Sequence, residues 1–309
     1  MADKRRIVIA GGSGTLGSSL SQHLASLGFE CVALTRRDAS APPGAGSCLW
    51  DGRTVAGWAD ALDGAAALVN LCGRSVDCVK TPDRCDEILR SRVEPTRALG
   101  AALRAVGSPP PIWVQMSTAH IYGDPPHDVC DEGSSLGYGL APTVGRAWEQ
   151  ACAESGPTGV RRVILRTGFV LGRGGGALRR LTGLARWGLG GRIGHGRQGM
   201  SWIHERDFNR ICESAITQAS ITGVYNATAP NPVSNAEFMR SLRLALRRPI
   251  GLPSPAWLVA IGARLILRTD PELALYGRYC VPRRLLDHGF VFDFPELDAA
   301  LRDLIRRRE

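Results

Sequence analysis

Glycines 11, 14 and 17 follow directly on the apolar run Ile7-Val8-Ile9-Ala10, a spacing that suits the binding of a pyrophosphate. The first glycine allows a tight turn. The second lets the backbone approach a phosphate with no Cβ in the way, and the third lets a helix pack closely on the strand. A helix opening at Thr15 presents free N–H groups and the positive end of its dipole to the anion. Gly11, Gly12, Gly14, Thr15, Leu16 and Gly17 are therefore the candidate phosphate-binding residues.

A dinucleotide held there meets the end of the second strand about 20 residues further on, where a carboxylate ordinarily marks NAD. Thr35-Arg36-Arg37 occupies that place, with Asp38 next. Arg36 and Arg37 suit a 2′-phosphate through charge-assisted hydrogen bonds, so the expected cofactor is NADP(H).

Candidates for proton chemistry lie in Ser117-Thr118-Ala119-His120-Ile121-Tyr122-Gly123. If this segment stays extended, Thr118, His120 and Tyr122 share one side. The imidazole and the phenol would be proton donors. The competing reading has Tyr122 packed under the loop and His120 solvated.

These residues need a scaffold, and the first half alternates strands and helices. Strands are expected at Arg6–Ala10, Glu30–Thr35, Ser47–Trp50, Ala66–Leu71, Ile112–Ser117 and Arg161–Arg166. Helices are expected over Thr15–Leu27, Arg84–Ala105 and Thr143–Ser155. Alternation of this kind implies a Rossmann-type doubly wound parallel sheet with helices on both faces. The expected division is a cofactor-binding domain over 1–170, its sheet completed by parts of 200–228, and a smaller C-terminal substrate lobe over 171–309. Within 172–199 the chain holds eleven glycines and six arginines. It reads either as an arginine-bearing lid, with Arg179, Arg180 and Arg186 clamping an anion, or as a plain flexible loop.

Taken in order, Gly11-x-x-Gly14-x-x-Gly17, Asn70-Leu71-Cys72-Gly73, the Ser117–Gly123 segment and Ser201-Trp202-Ile203-His204 resemble an extended short-chain dehydrogenase/reductase. Ser91-Arg92-Val93, Trp148-Glu149, Arg166-Thr167-Gly168-x-Val170-Leu171-Gly172 and Asn226-Ala227-x-x-Pro230 narrow the resemblance. They point to atypical members, NAD-dependent epimerase/dehydratase-like, with a DUF1731-type C-terminal segment. The resemblance implies that Leu71, Cys72 and Gly73 line the adenosine-ribose side of the cofactor. It puts Thr118 where the family's Ser or Thr bonds a substrate oxygen, and adds Ser117, Arg166, Thr167 and Gly168 to the cofactor site. It sets Trp202 and His204 on the substrate side, with a strand anchoring the lobe to the sheet as the competing reading of that segment. The usual Tyr-x-x-x-Lys pair is missing. Lys80 is the last lysine, and counting back from Trp148-Glu149 puts Ala141 and Gly145 where the pair would stand.

The net charge is +9, yet 36 of the 38 basic residues are arginines scattered along the chain, so no nucleic acid partner is expected. Nine cysteines without a CxxC pair, and histidines without ligand spacing, suggest reduced thiols, a cytoplasmic setting and no metal. No apolar run reaches membrane-spanning length, and no membrane partner is expected. The expected partners are a small-molecule substrate, with an anionic one among the candidates, and a second copy in a homodimer. The leading expectation is an NADP(H)-dependent oxidoreductase or epimerase-like enzyme of unknown substrate. A non-catalytic NADP(H)-sensing regulator stands as the alternative.

Overall fold

The computed structural model describes residues 5–37, 41–125, 128–173, 175–265 and 268–306. In chain order the first half contains β1 (Arg6–Ala10), α1 (Thr15–Ser26), β2 (Glu30–Thr35), β3 (Ala45–Leu49), β4 (Ala67–Asn70), α2 (Pro82–Ala105) and β5 (Ile112–Thr118). There follow β6 (Val129–Cys130), α3 (Leu140–Glu154), β7 (Arg161–Thr167), β8 (Phe169–Leu171), α4 (Gly176–Arg186), β9 (Gly199–Met200), β10 (Trp202–His204), α5 (Glu205–Thr217) and β11 (Gly223–Ala227). The remainder is β12 (Val233–Ser234), α6 (Asn235–Ala245), α7 (Ala256–Leu265), α8 (Glu272–Leu275), β13 (Tyr279–Cys280), α9 (Arg283–Asp287) and α10 (Leu297–Arg306).

Seven strands form one parallel sheet in the order β11-β7-β5-β4-β1-β2-β3. Strand order reverses between β1 and β4, and a doubly wound sheet of this kind opens a crevice there at its carboxyl edge. β1 shows why both faces are covered. Its side chains alternate, Ile7 and Ile9 joining Leu20 and Leu24 of α1 and Phe208 and Ile211 of α5. Val8 and Ala10 join Leu99 and Ala102 of α2 on the opposite face.

Local signals set the helix ends. The Thr81 hydroxyl accepts the Arg84 N–H ahead of α2, and Pro82 opens that helix where its missing N–H costs nothing. Ser234 and Glu237 form a reciprocal capping box on α6. A further apolar cluster unites Leu178 of α4, Phe238 and Leu242 of α6, and Leu301 and Leu304 of α10. β13 pairs with β6 in parallel, tying the last part of the chain to the loop after β5.

Two local expectations are corrected. The extended segment ends at Thr118, and Ala119–Tyr122 winds into a 3₁₀ turn closed by Gly123 at φ +77°. Thr118, His120 and Tyr122 therefore do not share a strand face. The glycine-rich stretch 172–199 is not one loop either, because α4 occupies its centre.

Candidate active site

The turn after β1 has little spare room except at one point. Gly11 adopts φ +78°, and a Cβ there would sit 3.0 Å from the Leu71 carbonyl. A Cβ on Gly12 would lie 2.4 Å from Cβ of Ala33, and one on Gly17 2.5 Å from Cα of Gly12. Gly14 differs. Its Cβ would meet only the Gly11 carbonyl oxygen, at 3.3 Å, and would otherwise project into open space. Gly14 caps α1, and Thr15 and Leu16 follow with the unpaired first-turn N–H groups of that helix. Gly175, just before α4, lies across this opening, with its Cβ direction 3.9 Å from the Thr15 hydroxyl.

β4 delivers the neighbouring wall. Asn70 is fully buried; its amide donates to Thr96 and Gln115, both at 3.0 Å, and its carbonyl oxygen accepts the Cys72 N–H at 3.0 Å. These three bonds fix the course of Leu71, Cys72 and Gly73 beside the glycine turn, where Leu71 N–H reaches the Ala10 carbonyl at 2.9 Å. Burial pushes the Cys72 thiol up to about 12, against the opposing charge of Arg36. Arg36 thus stands near Cys72, and both Arg36 and Arg37 are exposed at the end of β2. Asp38 lies outside the described residues.

At the end of β5, Thr118 is half-buried and its hydroxyl oxygen accepts the His120 N–H at 3.2 Å. Its own O–H is left to donate. His120 is kept neutral, because burial and the Arg278 guanidinium push its pKa well below the ordinary range. Tyr122 lies as the competing reading had it, packed in the interior. It is buried, donates to Asn226 Oδ1 at 2.8 Å and accepts from Arg166 at 3.0 Å. Burial pushes its phenol up to about 12 despite Arg166. A hydroxyl so engaged has no proton to offer a substrate.

The same network redirects other candidates. Ser117 donates to Glu149 at 2.6 Å, and Arg166 makes two bonds of 2.9 Å to the same carboxylate. The Thr167 hydroxyl donates to the Leu165 carbonyl at 3.1 Å. Gly168 packs on Ser201 and Thr228, where a Cβ would lie 2.6 Å from the Ser201 carbonyl oxygen. The side chains of Ser117, Arg166 and Thr167 are spent inside the chain and form the floor of the crevice.

Trp202 and His204 also face inward. β10 pairs with β8, Trp202 is fully buried and its indole N–H donates to the Asn231 carbonyl at 3.0 Å. His204 caps α5 by accepting the Arg206 N–H, and it stacks on Phe294 with ring centroids 3.9 Å apart. The three arginines expected to clamp an anion diverge. Arg180 pairs with Asp77 beyond β4, while Arg179 and Arg186 line a cleft of about 340 Å³ between α4 and α10.

Glu149, Asn226 and Asn70 were not among the expected site residues. All three did stand inside motifs that carried the resemblance, Asn70-Leu71-Cys72-Gly73, Trp148-Glu149 and Asn226-Ala227, which was the one signal available.

Residues 7–227 match the model of the NAD dependent epimerase/dehydratase family, and residues 254–304 match DUF1731, a domain of unknown function. The chain belongs to the NAD dependent epimerase/dehydratase family. Within it, the chain is 33% identical to the human epimerase family protein SDR39U1 over 307 residues, covering 97% of this chain and 99% of that one. It is 36% identical to an epimerase family protein of Mycobacterium tuberculosis, covering 96% of each. A crystal structure of human SDR39U1 with NADPH superposes with a TM-score of 0.87 at 32% identity, over 97% of this chain and 99% of that one. A nucleoside-diphosphate sugar epimerase from Corynebacterium glutamicum gives 0.78 at 31% identity, over 98% of this chain and 59% of that one. The fold that these family members share is the seven-stranded parallel sheet described above.

Proposed function

We propose that this family member binds NADP(H) on the β1–α1 turn and uses it as an oxidoreductase or epimerase-like catalyst. The observation that carries the reading is the opening at Gly14, the one glycine of the motif whose Cβ position faces space and not the protein. Gly11, Gly12, Gly14, Thr15, Leu16 and Gly17 would hold the pyrophosphate, and Leu71, Cys72 and Gly73 would lie along the adenosine ribose. Arg36 and Arg37 would take the 2′-phosphate. The structure of a relative with NADPH supports the same choice.

When bound, the nicotinamide supplies or accepts a hydride. The chain's own contribution centres on Thr118, whose free O–H can polarise a substrate oxygen while the His120 N–H holds the hydroxyl in place. The neutral His120 imidazole contributes without adding charge. Burial of the crevice floor keeps Glu149 and Arg166 locked on each other and out of the proton traffic.

A regulatory reading is favoured by one observation. The Tyr-x-x-x-Lys positions hold Ala141 and Gly145, and the nearby phenol of Tyr122 is already consumed. The two readings separate by experiment. Titration with NADPH, NADP⁺, NADH and NAD⁺, with Arg36→Ala alongside, is expected to show tight NADP(H) binding that the variant weakens. Turnover with carbonyl, imine or nucleotide-sugar substrates then selects catalysis. Retained binding with no turnover, in wild type and in Thr118→Val alike, selects sensing. Absence of binding to all four nucleotides overturns both.

A further inference from the structure

Two stretches of the chain contain no Asp or Glu at all, 174–204 and 238–269, and they carry five and six arginines. The fold brings them together. Leu252 N–H donates to the Gly188 carbonyl at 2.9 Å, Ser254 N–H to Arg192 at 2.9 Å, and Gly194 N–H back to Ser254 at 2.8 Å. The Arg243 guanidinium bonds the Gly190 carbonyl from α6.

Large apolar side chains stand in water along this seam. Trp187 is 84% exposed, Ile250 73% and Trp257 66%. Leu252, Leu258 and Ile261 are exposed beside them. Trp257, Leu258 and Ile261 lie on one face of α7 by their spacing. Arg186, Arg247 and Arg248 are exposed and lie within three residues of these side chains in the chain. A monomer surface rarely leaves so many large apolar groups uncovered without a partner.

We infer that this face docks on the surface of an anionic lipid bilayer. Indole rings settle at the level of the headgroups, and aliphatic side chains enter the acyl boundary. Arginines gain from the negative surface potential and bond lipid phosphates in forked pairs. A second copy of the chain is a poorer occupant. Two-fold pairing would set Arg247 and Arg248 against an equally basic surface, with no carboxylate in either stretch to neutralise them. The attachment is superficial, because among the described residues no helix is long and apolar enough to cross a membrane.

The test is co-sedimentation of the full chain with vesicles of phosphatidylcholine, with and without phosphatidylglycerol. The protein is expected to pellet with the anionic vesicles, to stay in solution with the neutral ones, and to detach as salt rises. Trp187→Ser with Trp257→Ser, and separately Arg247→Ala with Arg248→Ala, are expected to weaken partitioning about tenfold or more. Circular dichroism and Tm should not change, since all four positions are exposed. Three results overturn the inference: no pelleting with either vesicle, equal partitioning to both, or variants that bind like wild type. Sedimentation equilibrium covers the rival occupant. A dimer that dissociates in the tryptophan variant, without vesicle binding, assigns the face to a second copy.

Discussion

Arg166 grips Glu149 through two N–H···O bonds of 2.9 Å, with both side chains almost wholly buried. Burial opposes the guanidinium charge, and Glu149 outweighs it, so Arg166 titrates above its ordinary range. Removing one partner strands the other charge in the interior. Glu149→Ala and Arg166→Ala are each expected to cost about 3–5 kcal/mol of stability in urea titrations. A loss below about 1 kcal/mol would show that water reaches the pair.

Tyr122 tests the division between floor and chemistry. Tyr122→Phe removes the donor to Asn226 and the acceptor for Arg166, so about 1–3 kcal/mol of stability should be lost. Binding of NADPH should be unchanged. Unchanged stability with turnover abolished would return Tyr122 to the reacting centre.

The glycine turn separates folding from binding. Gly17→Ala forces a Cβ to within 2.5 Å of Gly12 Cα, and about 1–3 kcal/mol of stability should be lost from overpacking. Gly14→Ala should leave the Tm near wild type while weakening NADPH about tenfold or more, which is about 1.4 kcal/mol. Calorimetric titration beside thermal melts reads both. An unaltered NADPH affinity in Gly14→Ala would put the pyrophosphate elsewhere.

His204 makes the fold acid-sensitive. Burial holds its pKa down at about 4, although Asp303, 3.4 Å away, pulls the other way. The unfolded chain binds the proton from about pH 6.5, so the native state gains nothing from protonation until far lower. Stability from this group is complete above pH 6.5, falls as the pH drops towards 4, and is lost no further below that. The loss is roughly 3–4 kcal/mol at most. His204→Asn keeps a capping oxygen for α5 and should flatten the stability curve between pH 6.5 and 4. An equally steep curve in the variant would place the acid-sensitive group elsewhere, with neutral His120 the next candidate.

What could be read in advance was local. The Ile7–Ala10 run, the glycine spacing and Thr35-Arg36-Arg37 lie within one βαβ unit, and each residue's task follows from its neighbours. The 3₁₀ turn at Ala119–Tyr122 was hidden because its polar and apolar residues alternate as a strand's would. What bends it is the Thr118 hydroxyl taking the His120 N–H and Gly123 closing the turn. α4 was masked by the glycines flanking it, although Leu178, Leu181 and Leu184 recur at helical spacing. The bonding of the crevice floor had no local signature. Ser117, Tyr122, Glu149, Arg166 and Asn226 come from four separate elements and one turn, and they meet only once β5, β7 and β11 pair and α3 packs on β5 and the turn.

The last strand of the sheet reaches it late. β7 is in place by Thr167, but β11, which covers its outer edge, arrives only after α4, β8 to β10 and α5. A nascent chain halted before Gly223 would already possess the entire glycine turn after β1. It would also carry a bare hydrogen-bonding edge along β7 and a Tyr122 hydroxyl without Asn226. Such edges recruit other chains. The early part of this protein is thus incomplete until β11 arrives, and a truncated version ending at residue 222 should aggregate on release from the ribosome.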